Sequence, residues 1–144
     1  MTPRRQLQAL LACACLLAGA GGCDSGASPS DIDVDGAWSG TWQFVTGGVT
    51  VTDTVTASLE QDGNDVTGTW TAASGPAGEL TFAVAESISG TLTITQTTIT
   101  GQTCTATSPI TGTASATAID FSASAPTAAG ICQFAASNQF SLRR

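Results

Sequence analysis

The feature that most restricts this chain is a sustained two-residue alternation of apolar and hydroxyl side chains. From Val49 the apolar positions are Val49, Val51, Val55, Ala57 and Leu59, with Thr50, Thr52, Thr54, Thr56 and Ser58 between them. Successive side chains of an extended strand point to opposite faces, so this run has one dry face and one wet face and offers no helical stripe. The pattern recurs along the chain. Val66, Gly68, Trp70 and Ala72 alternate with Thr67, Thr69 and Thr71, and Leu80, Phe82 and Val84 alternate with Thr81, Ala83 and Ala85. Leu92 and Ile94 are flanked by Thr91, Thr93 and Thr95, while Ile119, Phe121 and Ala123 face away from Asp120, Ser122 and Ser124. Phe140 and Leu142 complete the series opposite Ser141 and Arg143. Threonine suits the wet face because its β-branch stiffens an extended backbone while its hydroxyl stays solvated.

Turn formers separate these runs: Gly47-Gly48, Asp62 to Asp65, Ser74 to Gly78, Ser89-Gly90, Ser108-Pro109 and Ala129-Gly130. With no convincing helical periodicity anywhere, the spacing predicts an all-β fold, an antiparallel meander of about eight strands forming a barrel or a sandwich. An open sheet this wide has two edges that invite pairing with other chains, and the chain contains no lysine to blunt them. Closure into a barrel removes the edges, so the barrel is the favoured form.

The start of the chain has a different character. Arg4 and Arg5 precede an uncharged, mostly apolar run from Leu7 to Ala20, too short to span a bilayer as a stable helix and suited to a signal peptide. It ends Leu16-Leu17-Ala18-Gly19-Ala20-Gly21-Gly22-Cys23, which resembles the lipobox of bacterial lipoproteins, with Ala20 standing where that family prefers leucine. The resemblance implies cleavage before Cys23, palmitate-type acylation of its thiol, and a location in the bacterial cell envelope on the extracytoplasmic side of a membrane. Two or more acyl chains make a durable anchor. The expected organisation is a signal peptide over 1–22, a lipidated cysteine with a flexible acidic spacer over 23–35, and a β-barrel domain over 36–144.

Beyond that cut only Arg143 and Arg144 stand against eleven carboxylates, with no lysine or histidine. Nucleic acid is excluded as a partner, because binding it requires a positive surface that displaces counterions. The same balance argues against docking on anionic lipid, which leaves the acyl chains as the link to the membrane. Of five cysteines, Cys13 and Cys15 leave with the signal peptide and Cys23 carries lipid, so Cys104 and Cys132 are expected to form a disulfide in an oxidising compartment.

Gly36-Ala37-Trp38 opens the first strand and continues as Ser39-Gly40-Thr41-Trp42-Gln43-Phe44, placing Trp38, Gly40, Trp42 and Phe44 on one face. This Gly-x-Trp resembles the signature of the calycins, the lipocalin, avidin and fatty-acid-binding barrels. The resemblance implies that Trp38 closes the barrel base and that an arginine of the last strand packs across it. Arg144 is in phase with Phe140 and Leu142, with Arg143 as the fallback. The alternative is that Trp38, Trp42 and Trp70 are large core fillers. Leu59, Gln61, Gly63, Val66, Gly68 and Trp70 also resemble the middle element of small bacterial lipoproteins of unassigned function, which transfers no chemistry.

Asp31, Asp33 and Asp35 before Gly36 match half of a calcium loop, but Trp42 stands where the bidentate glutamate belongs, so no metal site is expected. Serine nucleophiles have no histidine, lysine or tyrosine to activate them, and neither an enzyme nor a cofactor is expected. Asp53 falls on the apolar face of its strand, either at a barrel mouth or as a functional polar group inside. The leading expectation is a barrel binding a small apolar ligand among Trp42, Trp70, Phe82 and Asp53. A structural or protein-interaction lipoprotein, or an inhibitor of an envelope-directed enzyme, are the alternatives.

Overall fold

The computed structural model describes residues 31–85, 87–126 and 132–144. Cys23, the signal peptide, most of the spacer and the Ala129-Gly130 turn lie outside the described residues. Eight strands follow in chain order: β1 (Gly36–Thr46), β2 (Val49–Asp62), β3 (Asp65–Ala72), β4 (Ala77–Ala83), β5 (Ile88–Thr97), β6 (Thr103–Ala114), β7 (Ala118–Ser124) and β8 (Ser137–Arg143). Each pairs antiparallel with its sequence neighbour, and β1 pairs with β8, so the meander closes into a barrel.

From Val55 onward the alternation read from the sequence is the alternation of burial, whereas Val49, expected on the dry face, is exposed where β2 leaves the β1–β2 turn and Val51 is half-buried. Val55, Ala57 and Leu59 of β2 are buried, while Thr54, Thr56 and Ser58 between them are exposed. A single apolar cluster runs through the interior, with Val34, Trp38, Val66, Val84 and Ile119 toward one end and Trp42, Trp70, Phe121 and Phe140 toward the other. We call the first end the base; it carries the start of β1, the β2–β3 turn and the end of β8. The opposite end, with the β1–β2, β3–β4 and β5–β6 connections, is the mouth. An eight-stranded barrel is just wide enough to be filled by side chains, and these large rings occupy it.

The β1–β8 seam sets Gly40 opposite Leu142 and Trp42 opposite Phe140. A side chain at Gly40 would run into the Ser141 carbonyl and the Leu142 backbone, so the second glycine of the Gly-x-Trp-x-Gly stretch lets the seam close. Gly36, with φ of 110°, turns the incoming chain into β1 through a conformation that side chains rarely adopt.

Two kinds of sequence expectation differ from what is found. Ser89-Gly90, taken as a turn, lies inside β5, opposite Ala83 and Phe82. Ser108-Pro109, taken as a turn, lies inside β6. Pro109 has no N–H to offer the neighbouring strand, and the β6–β7 pairing runs only from Ile110↔Ala123 to Ala114↔Ile119. The buried Ser108 hydroxyl donates to the Ser124 carbonyl, satisfying an acceptor that lies across from the proline. The second difference concerns residues 32–35, read as the end of a flexible spacer. Val34 is fully buried and Ile32 packs against the core. Gln61 fixes this strap: its Oε1 accepts from Val34 N at 2.8 Å and its Nε2 donates to Ile32 O at 3.0 Å. The apolar residues of the Asp-Ile-Asp-Val-Asp stretch therefore cover the base while its carboxylates stay in water.

Candidate functional site

The mouth half of the interior is aromatic. Trp42 and Phe140, register partners across the seam, stack with centroids 5.8 Å apart, and Phe121 stacks on Phe140 at 4.8 Å. Trp70 meets Trp42 edge-on at 5.5 Å and Phe140 at 5.2 Å, the offset geometry that ring quadrupoles favour. One step further toward the mouth, Phe44 lies 4.3 Å from Trp42.

Buried indoles need acceptors, and each finds one. Trp70 Nε1 donates to Thr93 O at 3.1 Å, and Trp42 Nε1 donates to Asn138 Oδ1 at 3.0 Å. Asn138 is fully buried and donates its own amide to Ala135 O at 3.2 Å. The sequence reading missed this residue, although its parity with Phe140 and Leu142 placed it on the inward face.

Above these rings opens a cleft of about 370 Å³, bounded by Trp42, Phe44, Ile94, Gln96, Gln133 and Asn138 together with loop residues. None of the described residues that line it is ionisable. One wall is the segment leading into β8, held by two fastenings. The Cys104–Cys132 disulfide, with Cα atoms 5.9 Å apart, ties that segment to β6, and Gln96 Nε2 donates to Gln133 O at 3.0 Å. Gln96 and Cys104 are themselves register partners, so both fastenings act at one level of the barrel.

The four residues expected to gather around a ligand are only partly brought together. Trp42 lines the cleft, and Trp70 stands behind it as part of the ring stack. Phe82 is buried but pairs with Val66 and Gly90 toward the base, away from the cleft. Asp53 is opposite Trp42 in register, yet its carboxylate sits at the rim and faces the β3–β4 turn. It accepts from Ser74 N at 3.0 Å, Ser74 Oγ at 2.5 Å and Thr54 N at 2.8 Å. The Ser74 hydrogen bonds hold the Asp53 carboxyl below the usual carboxylate range.

At the base, the Arg144 guanidinium lies 4.8 Å from the Trp38 ring centroid. It also donates to the carbonyls of Ala116 at 2.7 Å, Asp35 at 2.5 Å and Asp33 at 2.6 Å. Trp38 Nε1 donates to Val34 O at 2.8 Å, so strap, indole and guanidinium form one layer. Arg143 points elsewhere, pairing with Asp120 at 3.0 Å on the surface. Ser141 Oγ also donates to Asp120, at 2.7 Å. Burial pushes the Asp120 carboxyl up, but the hydrogen bonds from Ser141 and Arg143 outweigh it and leave the group below its ordinary value.

Among the described residues no group of three or more histidine, cysteine or acidic side chains is placed to hold a metal ion. In the acidic strap, Asp33 Oδ1 accepts instead from Asp35 N at 2.9 Å. The eight-stranded closed meander fits the calycin architecture, while the chain matches no known protein family, no curated protein and no solved structure.

Proposed function

We propose that this chain is an exported lipoprotein, anchored through Cys23, whose barrel binds a small uncharged ligand at its mouth. The observation that carries the reading is the cleft of about 370 Å³ over an aromatic floor, with amide side chains and no charge around it. Ligand sites commonly occupy roughly 300–1,000 Å³ and combine apolar walls with a few oriented polar groups. Because rings occupy the interior beneath the cleft, the ligand sits at the open end of the barrel rather than at its centre.

The anchor rests on the signal-like segment and the lipobox-like residues before Cys23, and the calycin relationship on Gly-x-Trp together with the closed meander. The strap enters at the base, so an anchor at Cys23 leaves the mouth facing away from the membrane. A second reading, a lipoprotein that docks on another protein or inhibits an envelope-directed enzyme, draws support from Val49 and Ile99. Both are exposed and stand beside the mouth connections.

Native mass spectrometry of the processed protein tests the binding reading: a retained mass that disappears on unfolding supports it. A ligand-free monomer that gains no mass from any small molecule in an envelope extract overturns it. For the anchor, Cys23→Ala should give an unprocessed or soluble form, and a variant that stays with membranes at its processed mass refutes lipidation.

A further inference from the structure

We infer that the mouth cleft takes a pyranose unit of a neutral saccharide, laid on the exposed side of Phe44 and hydrogen-bonded by Gln96 and Gln133. This deepens the binding reading above and rests on it.

The sequence alone suggested an apolar ligand, and the cleft chemistry argues for something else. Phe44 is only half-buried, so one part of its ring faces the cleft, while Trp42 beneath it is covered. Gln96 engages its Nε2 with Gln133 O, which leaves its Oε1 as an acceptor; the exposed Gln133 side-chain amide offers both a donor and an acceptor. Thr46, also on the lining, adds a hydroxyl. A purely apolar occupant would strip water from these groups without replacing its hydrogen bonds, which is unfavourable for each one left unsatisfied. A charged occupant would find no countercharge. A sugar ring meets both demands, with C–H groups on one face that suit an aromatic ring and hydroxyls at its edge that donate and accept.

The distribution of charge supports a neutral occupant. Asp31, Asp33, Asp35, Asp62, Asp65, Arg143 and Arg144 all lie on the strap, the β2–β3 turn or the end of β8, at the base. Toward the mouth lie Asp53, whose carboxylate is occupied by the Ser74 turn, and Glu79, exposed on the outer face of β4 and not on the cleft lining. A neutral occupant gains nothing from electrostatic steering, so its affinity should hardly change with ionic strength. The volume suits a mono- or disaccharide unit, which includes the end of a longer neutral glycan.

The test is a titration of isotope-labelled residues 24–144, exported to an oxidising compartment behind a cleavable non-lipoprotein signal so that the chain carries no lipid and keeps its disulfide. The probes are maltotriose, cellotriose, chitotriose and, as an apolar comparison, N-phenyl-1-naphthylamine. At least one saccharide is expected to move the Trp42 indole N–H and the side-chain amides of Gln96 and Gln133, leaving the Trp38 indole unmoved. Phe44→Ala should weaken that binding about 2- to 10-fold, the value of one aromatic contact. Gln96→Ala, at a partly exposed position, should weaken it while preserving signal dispersion. Binding of the naphthylamine at these signals, with no saccharide bound, overturns the saccharide assignment and leaves the binding reading standing. Absence of any shift from all four probes counts against both, and saccharide shifts confined to the base overturn the location.

Discussion

Replacing Arg144 with alanine tests whether the base layer is a structural closure or a surface decoration. The guanidinium has four engagements: the Trp38 ring at 4.8 Å and the carbonyls of Ala116, Asp35 and Asp33. A cation over an indole at an exposed site is worth about 0.5–1 kcal/mol. Each guanidinium–carbonyl bond, made at an exposed position where water can replace it, is taken at about 0.5 kcal/mol, the low end for an ordinary intramolecular hydrogen bond. Arg144→Ala is therefore expected to cost about 2 kcal/mol, lowering Tm by about 8 °C for a domain of this size. Arg143→Ala supplies the comparison. Its ion pair with Asp120 has both side chains about half exposed, at 53% and 45%, and should contribute no more than about 0.5 kcal/mol. Arg144→Lys keeps the charge but loses the planar fork that reaches several carbonyls, and should recover less than half of the loss. Urea unfolding followed by tryptophan emission measures all three, with the folded-state emission of Arg144→Ala moving to the red as Trp38 is uncovered. The reasoning is refuted if Arg144→Ala stays within about 0.5 kcal/mol of the parent, or if Arg143→Ala costs as much.

Asn138→Ala removes the acceptor of the buried Trp42 indole N–H and should cost about 1–3 kcal/mol by the same unfolding assay, with the indole proton exchanging faster in NMR. Reducing the Cys104–Cys132 disulfide releases a loop of 28 residues, a loss of about 3.5 kcal/mol by chain entropy, and should broaden the amide signals of Gln133 to Ala136 along the cleft before those of β2. Acid should destabilise the barrel by a defined route. The Asp53 and Asp120 carboxyls are lowered in the fold, so their contribution is complete above the unfolded carboxylate range and is lost as pH falls through their lowered values. A Tm series from about pH 6 to pH 2 should show that loss, less steeply in Asp120→Asn; a parallel profile in that variant would remove Asp120 from the account.

Periodicity carried most of the fold, because burial on one face is all that a half-dry strand requires. Turn composition misled at β5, where Ser89-Gly90 is strand, and at β6, where Ser108-Pro109 is strand and the missing N–H is compensated by a hydroxyl bond seen in three dimensions. The pairing of Trp38 with Arg144 was within reach because Trp38 lies near the start of β1 and Arg144 just past the end of β8, both at the base, so phase and position agreed. The cleft was not. Parity tells which face a residue occupies but not its depth along the barrel, so Phe82 and Asp53 were grouped with Trp42 although one lies toward the base and the other at the outer rim. Gln96 and Gln133 gave no signal of their own, since their convergence depends on the disulfide and on the irregular segment before β8.

The β1–β8 seam also bears on how the barrel can assemble. Every other strand pair joins neighbours in the chain and can form as a local hairpin or short loop, whereas the seam joins partners such as Trp42 and Asn138, 96 residues apart. Contacts of that separation form late and slowly. Until they form, β1 and whichever strand precedes the gap each present an unpaired edge, and the ring stack of Trp42, Trp70, Phe121 and Phe140 has one side open to water. A chain emerging from β1 toward β8 thus passes through a sheet that is nearly all built and still adhesive. Whatever accompanies it during that interval has to shield one seam rather than a whole unfolded polypeptide.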